Sequence, residues 1–415
     1  MQFGGRSTRQ SPRNLGLVAS PPEPSPPPAQ RPRWLLRLLS LLSALLLSAA
    51  VLAPRYCALG WEQPYEGQRA WARAQGAGVA RWVEADLERE GFATGSARFD
   101  GEWWFGTYLM AGLGYVQTAR EHPELAERHL ALAARCVERL LEPRVRAFDA
   151  EAWLGEDALD SLAGPNGHAA YLGYLNLLLG LLREQDPSTP HAALNDRISA
   201  ALARRFAAAP HGLIATYPGE LYPVDNSAGI ASLAVHARAT RSPASPAVAA
   251  WVARVRAAYL DPETGLLVQA VSSSTGQPSD APRGSGSALA AYFLAYADPA
   301  LSRDLYRAVD AQLSERFLGF GVVREYPATV PGGAGDIDSG PLILGYSVSA
   351  TGFTLAGARI HGDPAAFARI YATAWLFGAP TSRGEALRFA AGGPLGDALL
   401  FALMSAPRLA PGGGS

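Results

Sequence analysis

The chain has 415 residues, 48% of them hydrophobic and 18% charged, with a formal net charge of −1. That length allows more than one core, although helical barrels reach it as single units. The balanced charge, with no basic stripe and no basic patch interleaved with aromatics, gives no reason to expect a nucleic-acid partner. Every basic residue is Arg, which together with the heavy use of Ala, Gly and Pro points to a GC-rich bacterial genome and says little about function. Cys57 and Cys136 form no CxxC pair and no Cys/His cluster, so no metal is expected to be required for folding. Whether they pair with each other stays open.

Residues 1–32, rich in Pro, Ser, Gln and Arg, cannot bury enough apolar surface to fold and are expected to be a disordered tail. Residues 33–54 follow as a single transmembrane anchor. Between Trp34 and Ala53 the only charge is Arg37, close enough to one end to snorkel into the headgroups. Arg6, Arg9, Arg13, Arg31 and Arg33 precede the span, so the positive-inside rule puts the N-terminus in the cytoplasm. Everything from Arg55 onward is then outside the inner membrane, in the periplasm. A cleaved signal peptide is the other reading, because Val51-Leu52-Ala53 offers small residues near a cut, and it exports the domain equally well.

Residues 60–406 repeat one unit. An Arg- and Ala-rich amphipathic helix ends at a Gly that leads a short apolar run: His211-Gly212-Leu213-Ile214, Thr264-Gly265-Leu266-Leu267-Val268 and Phe320-Gly321-Val322-Val323. A polar loop rich in Gly, Pro and Ser comes next, and then a helix that is apolar nearly all round. The amphipathic helices are predicted near 65–90, 123–141, 191–208, 245–259, 300–316 and 364–378. The apolar ones are predicted to start near Glu102, Gly167, Asn226, Ser285, Gly340 and Pro394. A one-sided helix suits an outer layer and an all-apolar one an inner layer. The reading is therefore all-α, an (α/α)6 barrel of six helical hairpins, with an open solenoid as the alternative. Residues 407–415 are expected to be a second disordered tail. In a barrel the loops before the inner helices converge on one mouth, where helix N-termini favour acidic groups.

Five segments reach that mouth. In Asp100-Gly101-Glu102-Trp103-Trp104-Phe105, Trp103 and Trp104 can wall an apolar or sugar-stacking pocket, with Asp100 as a helix cap. In the segment from Gly164 to Asn176, His168, Tyr171 and Asn176 fall on one stripe with Tyr174 a turn on. His168 is either a hydrogen-bonded core residue or a group that titrates near neutrality. The segment from Thr216 to Ser227 brings Glu220, Tyr222 and Asp225. Asp225 reads both as a helix cap and as a general acid or base in the cavity. In Asp280-Ala281-Pro282-Arg283, Arg283 can bind an anion or hold a carboxylate. Finally Arg324-Glu325 and the Gly-rich run Gly332 to Pro341 supply Glu325, Asp336 and Asp338 as parts of an active-site wall. The spacing of the last two is wrong for a calcium loop. Nothing matches a nucleophile elbow, a phosphate loop or a dinucleotide fingerprint, and no cofactor is expected.

The middle of the chain resembles the linalool dehydratase/isomerase family. The resemblance is carried by Tyr171-Leu172-Gly173-Tyr174-Leu175-Asn176-Leu177 with Gly180-Leu181, by Ile214 to Ser227, by Leu260-Asp261-Pro262-Glu263-Thr264-Gly265 and by Asp298-Pro299-Ala300-Leu301-Ser302, over residues 166–325. It implies an (α/α)6 barrel and acid–base chemistry on a small terpenoid-like alcohol. The family's catalytic His is replaced here by Tyr174, and its two cysteines by Thr216 and Asp225, so its own mechanism does not transfer intact. Three readings are open. The first is a hydro-lyase or isomerase centred on Asp225 and Tyr174. The second is a glycan-acting hydrolase, lyase or epimerase of the cell envelope, using Asp225 and Asp338 with the two Trp as stacking surfaces. The third is a barrel that binds a ligand without catalysis. An apolar cavity favours the first, a long open groove with paired carboxylates the second, and a mouth filled by side chains the third.

Overall fold

The computed structural model describes residues 33–331 and 333–409. The expected tail 1–32, Gly332 and residues 410–415 lie outside the described residues. The described residues fall into two units, divided between Ser48 and Ala49. In the first unit the described residues belong to helix α1 (Arg33–Cys57), whose side chains from Trp34 to Ser48 are all exposed. This N-terminal helix is long and apolar enough to cross a membrane.

The second unit is mostly helical. After the single turn α2 (Glu62–Tyr65), helices alternate between two kinds. The first kind comprises α3 (Arg69–Glu84), α5 (Ala126–Leu141), α8 (Ala192–Ala208), α10 (Pro246–Ala258), α12 (Pro299–Leu313) and α14 (Pro364–Gly378). The second comprises α4 (Ala97–Glu121), α7 (Ala169–Gln185), α9 (Pro223–Thr240), α11 (Gly284–Leu294), α13 (Val348–Ile360) and α15 (Gly393–Met404). A short α6 (Pro143–Ala152) lies between α5 and α7. Helix α5 shows why the first kind is one-sided: His129, Leu132, Cys136 and Leu140 are buried while Arg128, Arg135 and Glu138 face solvent. In α4, by contrast, every residue from Thr107 to Ala119 is buried. Starts are set by local chemistry. Pro sits at the first turn of α6, α9, α10, α12, α14 and α15, where its missing N–H costs nothing. Asp298, Ser347 and Asp363 cap α12, α13 and α14 by accepting from Leu301, Ala350 and Ala366 N–H.

The helices of the second kind contact one another in a cycle: α4 with α7, α7 with α9, α9 with α11, α11 with α13, α13 with α15, and α15 again with α4. The tightest step is α7 on α9. A Cβ on Gly173 would stand 2.9 Å from the Gly229 backbone nitrogen, so the two helices meet backbone to backbone there. Cys57 and Cys136 are both buried and free.

Two expectations are corrected. Helix α13 begins at Val348, not near Gly340, because Gly340, Leu344 and Gly345 all have positive φ and no helix can run through them. The chain also carries short strands: β1 (Glu220–Leu221) with β2 (Val271–Ser272), β3 (Ser314–Phe317) with β4 (Phe320–Val323), and β5 (Pro380–Arg383) with β6 (Ala386–Phe389), each pair antiparallel. The apolar run Phe320-Gly321-Val322-Val323 is β4 itself. Gly212 and Gly265, which lead the corresponding runs after α8 and α10, turn the chain in the left-handed conformation.

Candidate active site

The N-terminal ends of the second kind of helix, with the loops before them, enclose a cavity of about 400 Å³. Its wall is largely apolar: Phe99, Trp103, Phe105, Leu109, Val224, Leu289, Phe293, Phe353, Leu395 and Leu399 all line it. Into this wall project three carboxyl groups from three elements, Glu102 of α4, Asp225 of α9 and Asp338 of the loop before α13.

Asp225 lies in the first turn of α9, but neither of its oxygens caps that helix. The Tyr174 hydroxyl donates to Oδ1 at 2.6 Å and the Thr216 hydroxyl donates to Oδ2 at 2.9 Å. The close approach of α7 to α9 at Gly173 is what brings the neighbouring Tyr174 within reach. The loop of residues 214–222 is fixed from within. Thr216 N–H donates to the Glu220 carbonyl, and Asn226 pins Ile214 by accepting from its N–H and donating to its carbonyl. Burial pushes the Asp225 carboxyl upward, and the two hydroxyl donors pull it back. Burial, then the Asp225 charge, push the Tyr174 phenol well above its ordinary value, so it stays a donor.

Glu102 opens onto the cavity and is otherwise walled by protein. Loss of solvation, then the charges of Asp338 and Asp225, push its pKa up to about 8. The Tyr217 hydroxyl donates to Glu102 at 3.2 Å. Asp338 stands at the rim, where loss of solvation on its cavity side and then the Asp336 and Asp225 charges push it upward. Gln269 is buried in the cavity wall with Oε1 lacking any partner, and Gly286 leaves it room, since a Cβ there would fall 2.7 Å from that oxygen. An unpaired buried acceptor of this kind is ready for a ligand donor.

Among the residues singled out from sequence, Asp225, Tyr174, Thr216, Trp103, Tyr222, Glu220 and Asp338 gather at or directly behind this cavity. Tyr222 donates to Glu220 at 3.0 Å, and Glu220 lies 3.5 Å from Arg98 at the mouth. The others do not reach it. Trp104 is buried on the far side of α4, with the Arg144 guanidinium over its ring. Tyr171 is fully buried and donates to the Leu140 carbonyl. His168 is fully buried behind the wall, its Nδ1 2.6 Å from Asp149 and its ring against Trp153. Glu325 accepts from the Ser285 hydroxyl at 2.6 Å and holds the start of α11. Arg283 bonds Asp280 at 2.8 Å and also Asp336, so this pair tethers the loop that presents Asp338 and does not line the cavity. Glu102, Tyr217 and Gln269 were missed as site residues. Glu102 had a signal, being the one acid between Asp100 and Glu121 in an otherwise apolar helix.

No known protein family matches the chain, and no curated protein does. The site is therefore read from its own geometry. Among the described residues no three His, Cys, Asp or Glu side chains converge as a metal set. What the arrangement can do is move protons: it offers a carboxyl pushed up to about 8, a second carboxyl fixed by two hydroxyls, and an apolar wall that keeps both poorly solvated.

Proposed function

We propose that residues 60–406 form a closed (α/α)6 barrel related to the linalool dehydratase/isomerase family, and that it is an acid–base hydro-lyase or isomerase acting on a small, largely apolar alcohol. The observation that carries this reading is the set Glu102, Asp225 and Asp338 in an apolar cavity, with Glu102 pushed up to about 8. The cyclic contacts of the six helices support the closed barrel. A second support is that Tyr174 and Thr216 both donate to Asp225, these three being the positions where the resemblance puts the family's catalytic residues. The glycan reading has less behind it, since Trp104, one of its two stacking surfaces, is buried away from the cavity.

In the reaction, the Glu102 carboxylic acid gives its proton to the substrate hydroxyl, the C–O bond breaks and water leaves. The Asp225 carboxylate takes a proton from the neighbouring carbon, and the C–H electron pair becomes the new double bond. Glu102 ends ionised and Asp225 protonated, and water restores both. The reverse course adds water, and the two in succession move a hydroxyl. Gln269 Oε1 accepts from the substrate hydroxyl and orients it, while Tyr174 and Thr216 hold Asp225 in place. By this reading α1 anchors the barrel in the inner membrane with the N-terminus inside and the barrel in the periplasm.

The test is to screen the purified full chain on small allylic and tertiary alcohols and, in parallel, on envelope glycans. Water loss or hydroxyl migration is expected from an alcohol. Asp225→Asn should lower turnover by ~10²-fold or more at an unchanged melting temperature. A folded Asp225→Asn protein with full activity, or turnover of glycans alone, overturns the reading.

A further inference from the structure

The β3–β4 ribbon and the loop before α13 each end in a two-residue turn of the same unusual make. In the first, Leu318 and Gly319 connect Phe317 to its partner Phe320, with φ of +49° and +87°. In the second, Leu344 and Gly345 connect Ile343 to Tyr346, which exchange two backbone hydrogen bonds of 3.0 Å, with φ of +56° and +85°. Both are turns in which both central residues need positive φ, and where Asn, Asp or Gly is favoured at the first position. Leu there is strained, because its Cβ crowds the following carbonyl. It is also solvated, since Leu318 is 60% and Leu344 70% exposed.

The two apexes belong to one patch. Arg324 at the end of β4 bridges to Tyr346, and the Phe317 and Tyr346 rings lie 5.9 Å apart. Phe317, Ile343 and Val348 are exposed beside them. The patch is also continuous with the end of the apolar helix. A Cβ on Gly319 would fall 2.7 Å from Pro54 Cγ and 3.2 Å from the Ala50 carbonyl, so the first turn rests on the last turns of α1, where Val51 and Leu52 are exposed too. The chain that leads into this contact is long and apolar enough to cross a membrane, which makes lipid the occupant argued for the patch.

We propose that the Leu318 and Leu344 turns, with Phe317 and Ile343, form a membrane-dipping surface that lies in the lipid interface. The apolar apexes insert among acyl chains, and the exposed Arg316 stays at headgroup level. Leu344 lies on the same loop that presents Ile337 and Asp338 to the cavity, so a bilayer seat for this loop ties the site to the phase in which an apolar alcohol partitions. The surface itself rests on α1 being a membrane anchor, and its link to substrate entry rests on the function proposed above.

The test uses the full chain in phosphatidylethanolamine/phosphatidylglycerol vesicles. An environment-sensitive thiol probe is attached in turn to Leu318→Cys, Leu344→Cys, Leu45→Cys in the span, and Ser188→Cys on the exposed α7–α8 turn. The native Cys57 and Cys136 are buried. Each labelled protein is titrated with doxyl-chain lipid and with aqueous iodide. Lipid quenching at 318 and 344 should match that at 45 and exceed that at 188 by about threefold or more, with iodide showing the reverse order. If 318 and 344 follow 188 while 45 is quenched by lipid, the anchor stands and the membrane-dipping surface is overturned. Probes at 318 and 344 that neither quencher reaches mean that protein covers the patch, which overturns it as well. If 45 itself is not quenched by lipid, the anchor reading falls and the proposal falls with it. None of these outcomes depends on turnover, so a failure of the proposed reaction is seen separately.

Discussion

Two carboxyls in one apolar cavity settle their roles by what surrounds them. Asp225 has two hydroxyl donors within 2.9 Å, whereas Glu102 has one at 3.2 Å and sits in the field of two other acids. In the proposed reaction the group with more donors to its charged form, Asp225, is the base and Glu102 the acid. A consequence follows for stability. The folded pKa of Glu102 is about 8 against an ordinary 4.5, so between those values the native state binds a proton that the unfolded chain has released. Stability is therefore fully present below the unfolded pKa and is lost as pH rises through the folded one. Glu102→Gln, which keeps shape and removes the titration, should flatten that loss. Denaturant midpoints at pH 6 and pH 9 should converge in the variant and differ in the parent chain, and equal slopes in both would show that Glu102 titrates normally. Activity should fall in the same alkaline window, because the acid has then lost its proton. The inflection belongs to the coupled set and not to Glu102 alone.

At the scale of elements, the site exists because α7 and α9 touch at Gly173 and Gly229, one residue from Tyr174 and four from Asp225. In an exposed helix Gly→Ala would stabilise by up to ~1 kcal/mol. Here the new Cβ would meet backbone at 2.9 Å, and backbone cannot swing aside. Gly173→Ala should therefore destabilise by ~1–3 kcal/mol and lower turnover by lengthening the Tyr174–Asp225 hydrogen bond. Calorimetry and kinetics on the same preparation check both, and a gain in stability would show that the helices are free to separate. How much of this was legible in the sequence divides along the same line. The 3.6-residue pattern of α5 and the all-round apolarity of α4 are local, so the two kinds of helix could be read directly. Asp225 was found through the loop it follows. Its partnership with Tyr174 and Thr216 was available only as a resemblance, because 51 residues separate Asp225 from Tyr174 and no local pattern records that they meet. The pairing of Glu102 with Tyr217, 115 residues apart, left no local trace at all. His168 looked like a cavity residue because it precedes a helix of the second kind, but its left-handed backbone turns the ring inward to Asp149.

At the scale of the whole folded unit, a cycle of helices must join its last member to its first, and that seam has no covalent link. One side chain does much of the joining. Arg359, at the end of α13 and almost wholly buried, donates from Nε to the Pro64 and Tyr65 carbonyls at 3.0 and 3.2 Å. Its Nη2 donates to both oxygens of Glu121 at the end of α4, each at 2.9 Å, and its Nη1 donates to the Ala406 carbonyl just beyond α15. A single guanidinium thus holds the chain before α3, the end of α4 and the chain after α15, and only the planar fork of Arg can reach all of them at once. Burial disfavours its charge, and the Glu121 carboxylate restores it, so the buried guanidinium does not tolerate losing its partner. Arg359→Met fills similar volume but leaves three carbonyls and a carboxylate without their donor. The expected cost is about 3 kcal/mol or more, with Arg359→Lys in between because an ammonium cannot span the same acceptors. Both variants leave the cavity residues untouched, so the protein that remains folded should keep its turnover per molecule while its denaturant midpoint drops. A midpoint within ~0.5 kcal/mol of the parent would show that the seam closes through apolar packing of α15 on α4 alone.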